Sequence, residues 1–174
     1  ISVSAIIGVG FLLVLECLNW QDVAKSLSTR VIMIIVASLA LGKALMITNM
    51  ASYLAGSFVA ISTGLPVPLI LSLFMLIMSV MTNIVSNNAA AVIGTPIAIS
   101  IATQLNVDPE PFVLAVLFGA NMSYATPYGY QTNLLILSAG GYKFTDFLRV
   151  GIPLTIIMWL GFSLVLPTLY GLWG

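Results

Sequence analysis

Along this chain, long apolar runs are separated by short polar clusters, and the positions of those clusters define the expected elements. Residues 1–15 form a nearly uncharged run closed by Glu16 and Trp20. An indole there suits the headgroup layer of a bilayer, where its N–H stays wet, so the run predicts a crossing. Residues 21–29 are polar with Val23, Ala24 and Leu27 on one side, and Lys25 and Arg30 accompany them. That pattern predicts a short helix lying in the interface. The next run, residues 31–61, exceeds the roughly 20 residues one span needs, and Gly42, Lys43, Thr48 and Asn49 interrupt it. It must tilt or break.

In the second half the polar clusters fall inside apolar stretches. After Gly64, Leu65 and Pro66 comes a run to Thr82, then Thr82-Asn83-Ile84-Val85-Ser86-Asn87-Asn88, then a run from Ala89 to Leu105 containing Pro96. Residues 66–105 can be two full crossings joined by a wet turn, or a re-entrant hairpin whose tip is the polar cluster. Non-helical backbone at membrane depth is tolerated only where protein or a wet cavity satisfies it, so a hairpin tip implies a site. A loop carrying Asp108 and Glu110 follows, then an apolar run from Phe112 to Ala125. This run is interrupted by Thr126-Pro127-Tyr128-Gly129-Tyr130-Gln131-Thr132-Asn133, which makes residues 109–138 a broken helix. Residues 140–149 read as an amphipathic interfacial segment. A last span over 152–170 ends near Tyr170 and Trp173, which suit an aromatic belt. With a hairpin, Lys25, Arg30, Lys143 and Arg149 fall on one side and the acidic loop on the other, and the positive-inside rule is taken to favour that reading.

Composition narrows the class. The residues are 60% hydrophobic and 6% charged, whereas a soluble domain carries roughly a quarter charged residues. The expected fold is therefore an all-α polytopic membrane protein, integral and multi-pass, in a plasma or inner membrane. Five Lys or Arg and five Asp or Glu are scattered, with no basic stripe of the kind a nucleic-acid binder needs. A single cysteine, Cys17, and no histidine exclude an internal disulfide and the usual Cys/His metal sites. No basic segment or small-residue cleavage pattern accompanies the first run, so it reads as a spanning helix, and the chain as an excerpt of something longer.

Two broken elements rich in Ser, Thr, Asn and Gly suggest transport chemistry. Half-helix N-termini offer free N–H groups to an anion, while unwound carbonyls and hydroxyls suit a cation. Ala89 begins such a half-helix, with Ser86, Asn87 and Asn88 before it. Simple capping by Ser86 or Asn87 is the plainer alternative, but capping does not require a polar cluster inside an apolar hairpin. In the second break, Gln131 and Asn133 add amides and Thr126 and Thr132 add hydroxyls, against the alternative of a plain Pro-Gly kink. Lys43 is a functional candidate if its helix is upright, although tilt, a break near Gly42 or snorkelling is the stronger reading. Phe58, Phe74 and Trp159 read as lipid or packing contacts. Glu16, Asp22, Asp108, Glu110 and Asp146 all fall at predicted edges or loops, which disfavours proton coupling and leaves sodium as the better coupling ion. No buried acid pair, histidine or activated nucleophile supports an enzyme, and no cofactor is expected.

The cluster from Thr82 to Asn88 with three following alanines resembles the C-terminal half of the divalent-anion:sodium symporter family, as do residues 125–133 and Gly140-Gly141-Tyr142. Leu41-Gly42-Lys43-Ala44 is similar to its branch with TrkA C-terminal regulatory domains. The resemblance implies a two-half inverted-repeat homodimer working by an elevator movement, with this chain as one half and the N-terminal half as its partner. It implies that Ser86, Asn87, Asn88, Thr126 and Pro127 line a small anionic substrate. It also implies that Thr82, Asn87 and the carbonyls of Val85 and Ala125 hold sodium. Gly129, Gln131, Thr132, Asn133 and Lys43 are supporting candidates from the reading of the residues themselves. Asn88 stands where that family has Thr, which opens sulfate or another oxyanion beside dicarboxylates. The competing expectations are a proton-coupled or antiporting member of the wider ion transporter superfamily and a non-transporting membrane subunit.

Overall fold

The structure, a computed structural model, describes residues 2–15, 17, 19, 21 and 29–173. The sequence expectations for Glu16, Trp20, Asp22 and the interfacial residues Val23, Ala24, Lys25 and Leu27 lie outside the described residues. The chain divides into two compact units, Ile1–Ala37 and Ser38–Gly174. The first holds α1 (Ser2–Val14) and the start of α2 (Thr29–Ile47). Helix α1 has 13 described residues, about 20 Å of helix.

In the second unit the long apolar run breaks rather than tilts. Helix α2 passes unbroken through Gly42 and Lys43, stops at Ile47, and resumes as α3 (Met50–Ile61) at 71° to the part of α2 from Leu39 onward. Asn49 makes the corner with a left-handed φ of 55°, a conformation its short amide tolerates better than most side chains do. Gly64, at φ 88°, then turns the chain into α4 (Val67–Ile84). Pro66 and Pro68 open that helix, where a missing N–H costs nothing. Only Val85 and Ser86 separate α4 from α5 (Asn87–Leu105), whose internal Pro96 cannot donate to the Val92 carbonyl. Helix α6 (Glu110–Asn121) is followed by nine residues without regular helix, 122–130, and then by the short α7 (Gln131–Ala139).

The last helix, α8, runs unbroken over Phe144–Leu169. This corrects the expectation of a separate interfacial segment over 140–149. The Asp146 carboxylate accepts the Lys143 N–H at 2.8 Å and starts the helix at Phe144, and no stop signal intervenes before the apolar run. Among the described residues α4, α5 and α8 are each long and apolar enough to cross a bilayer, and the bent α2–α3 pair makes a fourth candidate span.

Small residues set how closely these helices approach. A Cβ added to Gly119 of α6 would lie 2.8 Å from the Met75 carbonyl of α4, so the two backbones are nearly in contact. Ala90, Ala98, Ala102, Ala115 and Ala120 are buried around Met75 and Met78. Matching levels, Gly119 beside Met75 and Ser79 and Ala120 beside Thr82, show that α4 and α6 run side by side in one direction. Helix α8 runs against them. Its Trp159 indole donates to the Ser72 carbonyl at 2.9 Å, its Ser163 hydroxyl meets that of Ser72 at 2.7 Å, and Phe162 stacks on Phe118 at 4.1 Å. Trp159 and the tilted Phe58–Phe74 pair thus serve helix packing. At the acidic loop, the Tyr170 hydroxyl donates to Glu110 at 2.7 Å and pins the end of α8 to the start of α6.

Topology removes the loop-charge preference for a re-entrant hairpin. A helical hairpin returns to its starting side whether its tip stops at mid-depth or reaches the far water. Loop charges therefore do not separate the two readings of residues 66–105. What the tip touches bears on them instead.

Candidate functional site

The last turn of α4 and the irregular segment after α6 meet in one polar joint. Thr82, fully buried, places its hydroxyl 2.7 Å from the Ala120 carbonyl and 2.8 Å from Asn87 Oδ1 across the hairpin tip. Ala120 sits at the end of α6, where carbonyls lack an intrahelical partner, so a side-chain donor is what this helix end requires. A hydroxyl has one proton. Whichever oxygen Thr82 serves, the other O···O contact holds no hydrogen unless the Asn87 amide turns its Nδ2 toward Thr82.

Next to Thr82, Asn83 holds the break itself. Its Oδ1 accepts the backbone N–H groups of Ala125 at 3.0 Å and Thr126 at 3.1 Å. Its Nδ2 donates to the carbonyls of Ser79 at 2.7 Å and Met122 at 2.9 Å. The Thr126 hydroxyl completes the contact by donating to the Asn83 carbonyl at 2.7 Å. Within the break, Asn133 reaches back from α7, its amide donating to Ser123 at 2.8 Å and Thr126 at 3.2 Å. Gly129 lies so close that an added Cβ would stand 2.7 Å from the Thr82 carbonyl and 2.9 Å from Ser123 Cβ. Only glycine fits there.

The sequence-predicted residues divide accordingly. Thr82, Asn87, Ala125, Thr126, Gly129 and Asn133 are brought together, and Pro127 is buried beside them. At the exposed tip, Ser86 caps α5, its Oγ accepting the Ala89 N–H at 3.3 Å, with Val85 and Asn88 also exposed. Gln131 opens α7, and the following Thr132 is exposed. Lys43 lies elsewhere. It lines a groove of about 400 Å³ with Leu39, Gly42, Met46, Val92, Thr95, Pro96 and Ile99, none of which belongs to the joint. A second cavity, about 330 Å³ and mostly apolar, lies between α7 and α8 and touches the break only at Tyr124.

Sequence reasoning missed Asn83 and the Ala120 carbonyl. Asn83 stood inside the polar cluster but was passed over for the tip residues after it. The available signal was an amide in the last turn of an otherwise apolar helix, where an unpaired amide would be costly. Nothing in the sequence marked a backbone carbonyl at Ala120. Among the described residues no three His, Cys, Asp or Glu side chains gather, so the joint offers neutral oxygens and N–H groups only.

Several apolar spans around a polar joint made from a helix break are the features of an integral, multi-pass membrane protein. The chain belongs to the citrate transporter family, whose pattern it matches over residues 1–173. It is 37% identical over 172 residues to an uncharacterized transporter of Synechocystis, covering 98% of this chain and 28% of that one. To an uncharacterized transporter of Escherichia coli it is 29% identical over 155 residues, 89% of this chain and 25% of the relative. To sodium/sulfate cotransporter 1 of Chlamydomonas reinhardtii it is 28% identical over 164 residues, 92% of this chain and 19% of the relative. The chain thus spans about a quarter of the length of the relatives it matches. The family and these three relatives bear the names of transporters, not of enzymes, and they accord with the ion transporter superfamily resemblance of the sequence.

Proposed function

We propose that this chain is the C-terminal half of a sodium-coupled symporter for a small divalent anion. The observation that carries the reading is the meeting of the Thr82 hydroxyl, the Asn87 amide and the Ala120 carbonyl; with the amide oxygen toward Thr82, three oxygens share one hydroxyl proton. A monovalent cation resolves the proton-free O···O contact without any charged ligand, and the reading assigns the Val85 and Ala125 carbonyls to complete its shell. Beside it, the start of α5 at half-buried Asn87 and exposed Asn88 offers backbone N–H groups and amides to an anion. Ser86, Thr126 and Pro127 line that anion, while Gly129, Gln131, Thr132 and Asn133 support the break.

On this reading residues 66–105 form a re-entrant hairpin and residues 109–138 one broken span. A wet turn between two crossings needs no protein partner. Here five hydrogen bonds tie the last turn of α4 to the end of α6 and the break after it. The N-terminal half, a second copy of the whole protein and the TrkA-type regulatory domains belong to the same proposal, as does placement in the plasma membrane. Sulfate is the favoured anion, since the Chlamydomonas relatives bear that name and Asn88 replaces a threonine of the resembled pattern. Dicarboxylates and citrate are the alternatives to compare.

The test is uptake of labelled sulfate, succinate and citrate into proteoliposomes holding the full-length protein, with and without a sodium gradient, alongside Asn87→Ala. Sodium-driven uptake of one anion, lost in Asn87→Ala, supports the reading. Uptake indifferent to sodium and to Asn87 overturns it in favour of proton coupling. No uptake of any anion under either gradient favours a non-transporting subunit.

A further inference from the structure

We infer that Asn83 is a positioning residue that fixes the unwound segment after α6 to the hairpin, so that the Ala125 carbonyl is presented at the Thr82–Asn87 oxygens. The inference rests on the sodium reading above and adds a residue that reading does not contain. Its basis is a full account of the Asn83 amide. Both N–H donors are used, to Ser79 and Met122, and both lone pairs of Oδ1 are used, by the Ala125 and Thr126 N–H groups. Its own backbone carbonyl accepts the Thr126 hydroxyl. A side chain with no free donor or acceptor cannot ligate an ion or substrate. It acts through what it holds.

What it holds is specific. Ala125 and Thr126 sit where the chain is neither helix nor strand, so their N–H groups have no backbone partner of the usual kind. One amide oxygen takes both, which orients two consecutive peptide planes together. Because Asn83 directly follows Thr82, the side chain that orients Ala125 and the hydroxyl of the proposed cation site share one turn of helix. The N–H side of the unwound segment is therefore referenced to the hairpin, while Asn133 of α7 holds its Ser123 and Thr126 carbonyls.

Sodium activation of uptake by the full-length protein in proteoliposomes tests this directly. In Asn83→Ala the sodium concentration for half-maximal uptake should rise roughly tenfold, the scale of one or two lost hydrogen bonds. The anion KM at saturating sodium should move by less than about threefold, because the start of α5 keeps its own cap and the Thr126 hydroxyl keeps the backbone carbonyl of residue 83. Asn83→Asp retains the acceptor for Ala125 and Thr126 and should stay nearer wild type in sodium response than Asn83→Ala. Should Asn83→Ala not assemble, Asn83→Ser, which replaces at most part of the amide's bonding, carries the same expectation. Thr103→Ala, which loses only a bond to its own helix at Ile99, is the control. A merely structural role would lower the amount of folded protein and leave the half-saturating sodium concentration unchanged. That outcome in a sodium-dependent wild type overturns the inference and leaves the symporter reading intact, whereas a sodium-independent wild type overturns both.

Discussion

Among the described residues, the polar interruptions at Thr48–Asn49 and over 122–130 are built in opposite ways. At Thr48–Asn49 the interruption is self-contained. The Thr48 hydroxyl returns to the Ala44 carbonyl of its own helix at 2.8 Å, Asn49 makes no side-chain cap, and both residues are exposed. Over residues 122–130 the interruption is shared. Its N–H groups, its hydroxyl and its close-packed glycine are engaged by the last turn of α4, and Ser123, Pro127 and Gly129 are buried. A Thr or Asn in a hydrophobic run thus announces only that the helix changes direction. Whether the change builds a site depends on what meets it across the fold.

The comparison can be broken first at Gly129. Gly129→Val puts a branched side chain against the Thr82 carbonyl and Ser123, and overpacking of that kind costs about 3 kcal/mol where backbone cannot yield. Thermal unfolding in detergent should fall sharply and uptake should drop below about a tenth of wild type. Unchanged unfolding would mean the two segments are not packed together as described. Thr82→Val comes next. It keeps the shape but strands the Ala120 carbonyl and Asn87 Oδ1, at about 1–3 kcal/mol. A sodium-dependent rise in melting temperature, expected in wild type by linkage, should vanish in this variant. If sodium still stabilises Thr82→Val, the hydroxyl is not a ligand.

The exposed corner should respond less. Asn49→Ala must hold φ 55° without the amide's tolerance, for a loss of about 1 kcal/mol, while Thr48→Ala should stay within about 0.5 kcal/mol. Neither should alter the sodium dependence of uptake, and an effect on it as large as that of Thr82→Val would erase the contrast between the two breaks. The smallest effect is expected at Tyr170→Phe. The hydrogen bond to Glu110, with lesser contributions from burial and the charges of Glu110 and Asp108, holds the Tyr170 hydroxyl above the ordinary tyrosine value of 10.0. A raised folded-state value means its stabilisation is complete below the unfolded-state value and is lost as pH rises through the folded one. Ultraviolet titration should show one phenol ionising late in wild type and absent from Tyr170→Phe, with unfolding at neutral pH barely changed.

Much of the fold was legible because membrane helices are written in long apolar runs. Thr126, Pro127 and Gly129 marked the break for the same reason, since proline and glycine act on the backbone whatever surrounds them. The start of α8 was misread because Phe144 to Arg149 looks amphipathic in isolation, whereas only the Asp146–Lys143 box reveals where the helix begins. Asn83 was harder still. Nothing local distinguishes it from Asn87 or Asn88, and its importance comes from Met122, Ala125 and Thr126, about 40 residues along the chain. Carbonyl contributions such as Ala120 carry no residue signature at all.

The near-contact of α4 and α6 at Gly119 has a mechanical corollary. Two helices meshed backbone to backbone and fastened at one end by a saturated amide cannot slide or twist past each other without breaking several bonds at once. On the proposed transporter reading they travel as a single plank in a change of access, carrying the joint intact. Relative movement then falls outside this pair, and the Thr48–Asn49 corner, whose side chains bond only to their own helix or to nothing across the fold, is the place for a hinge. Stiffening that corner should slow turnover while leaving the sodium dependence of uptake unchanged.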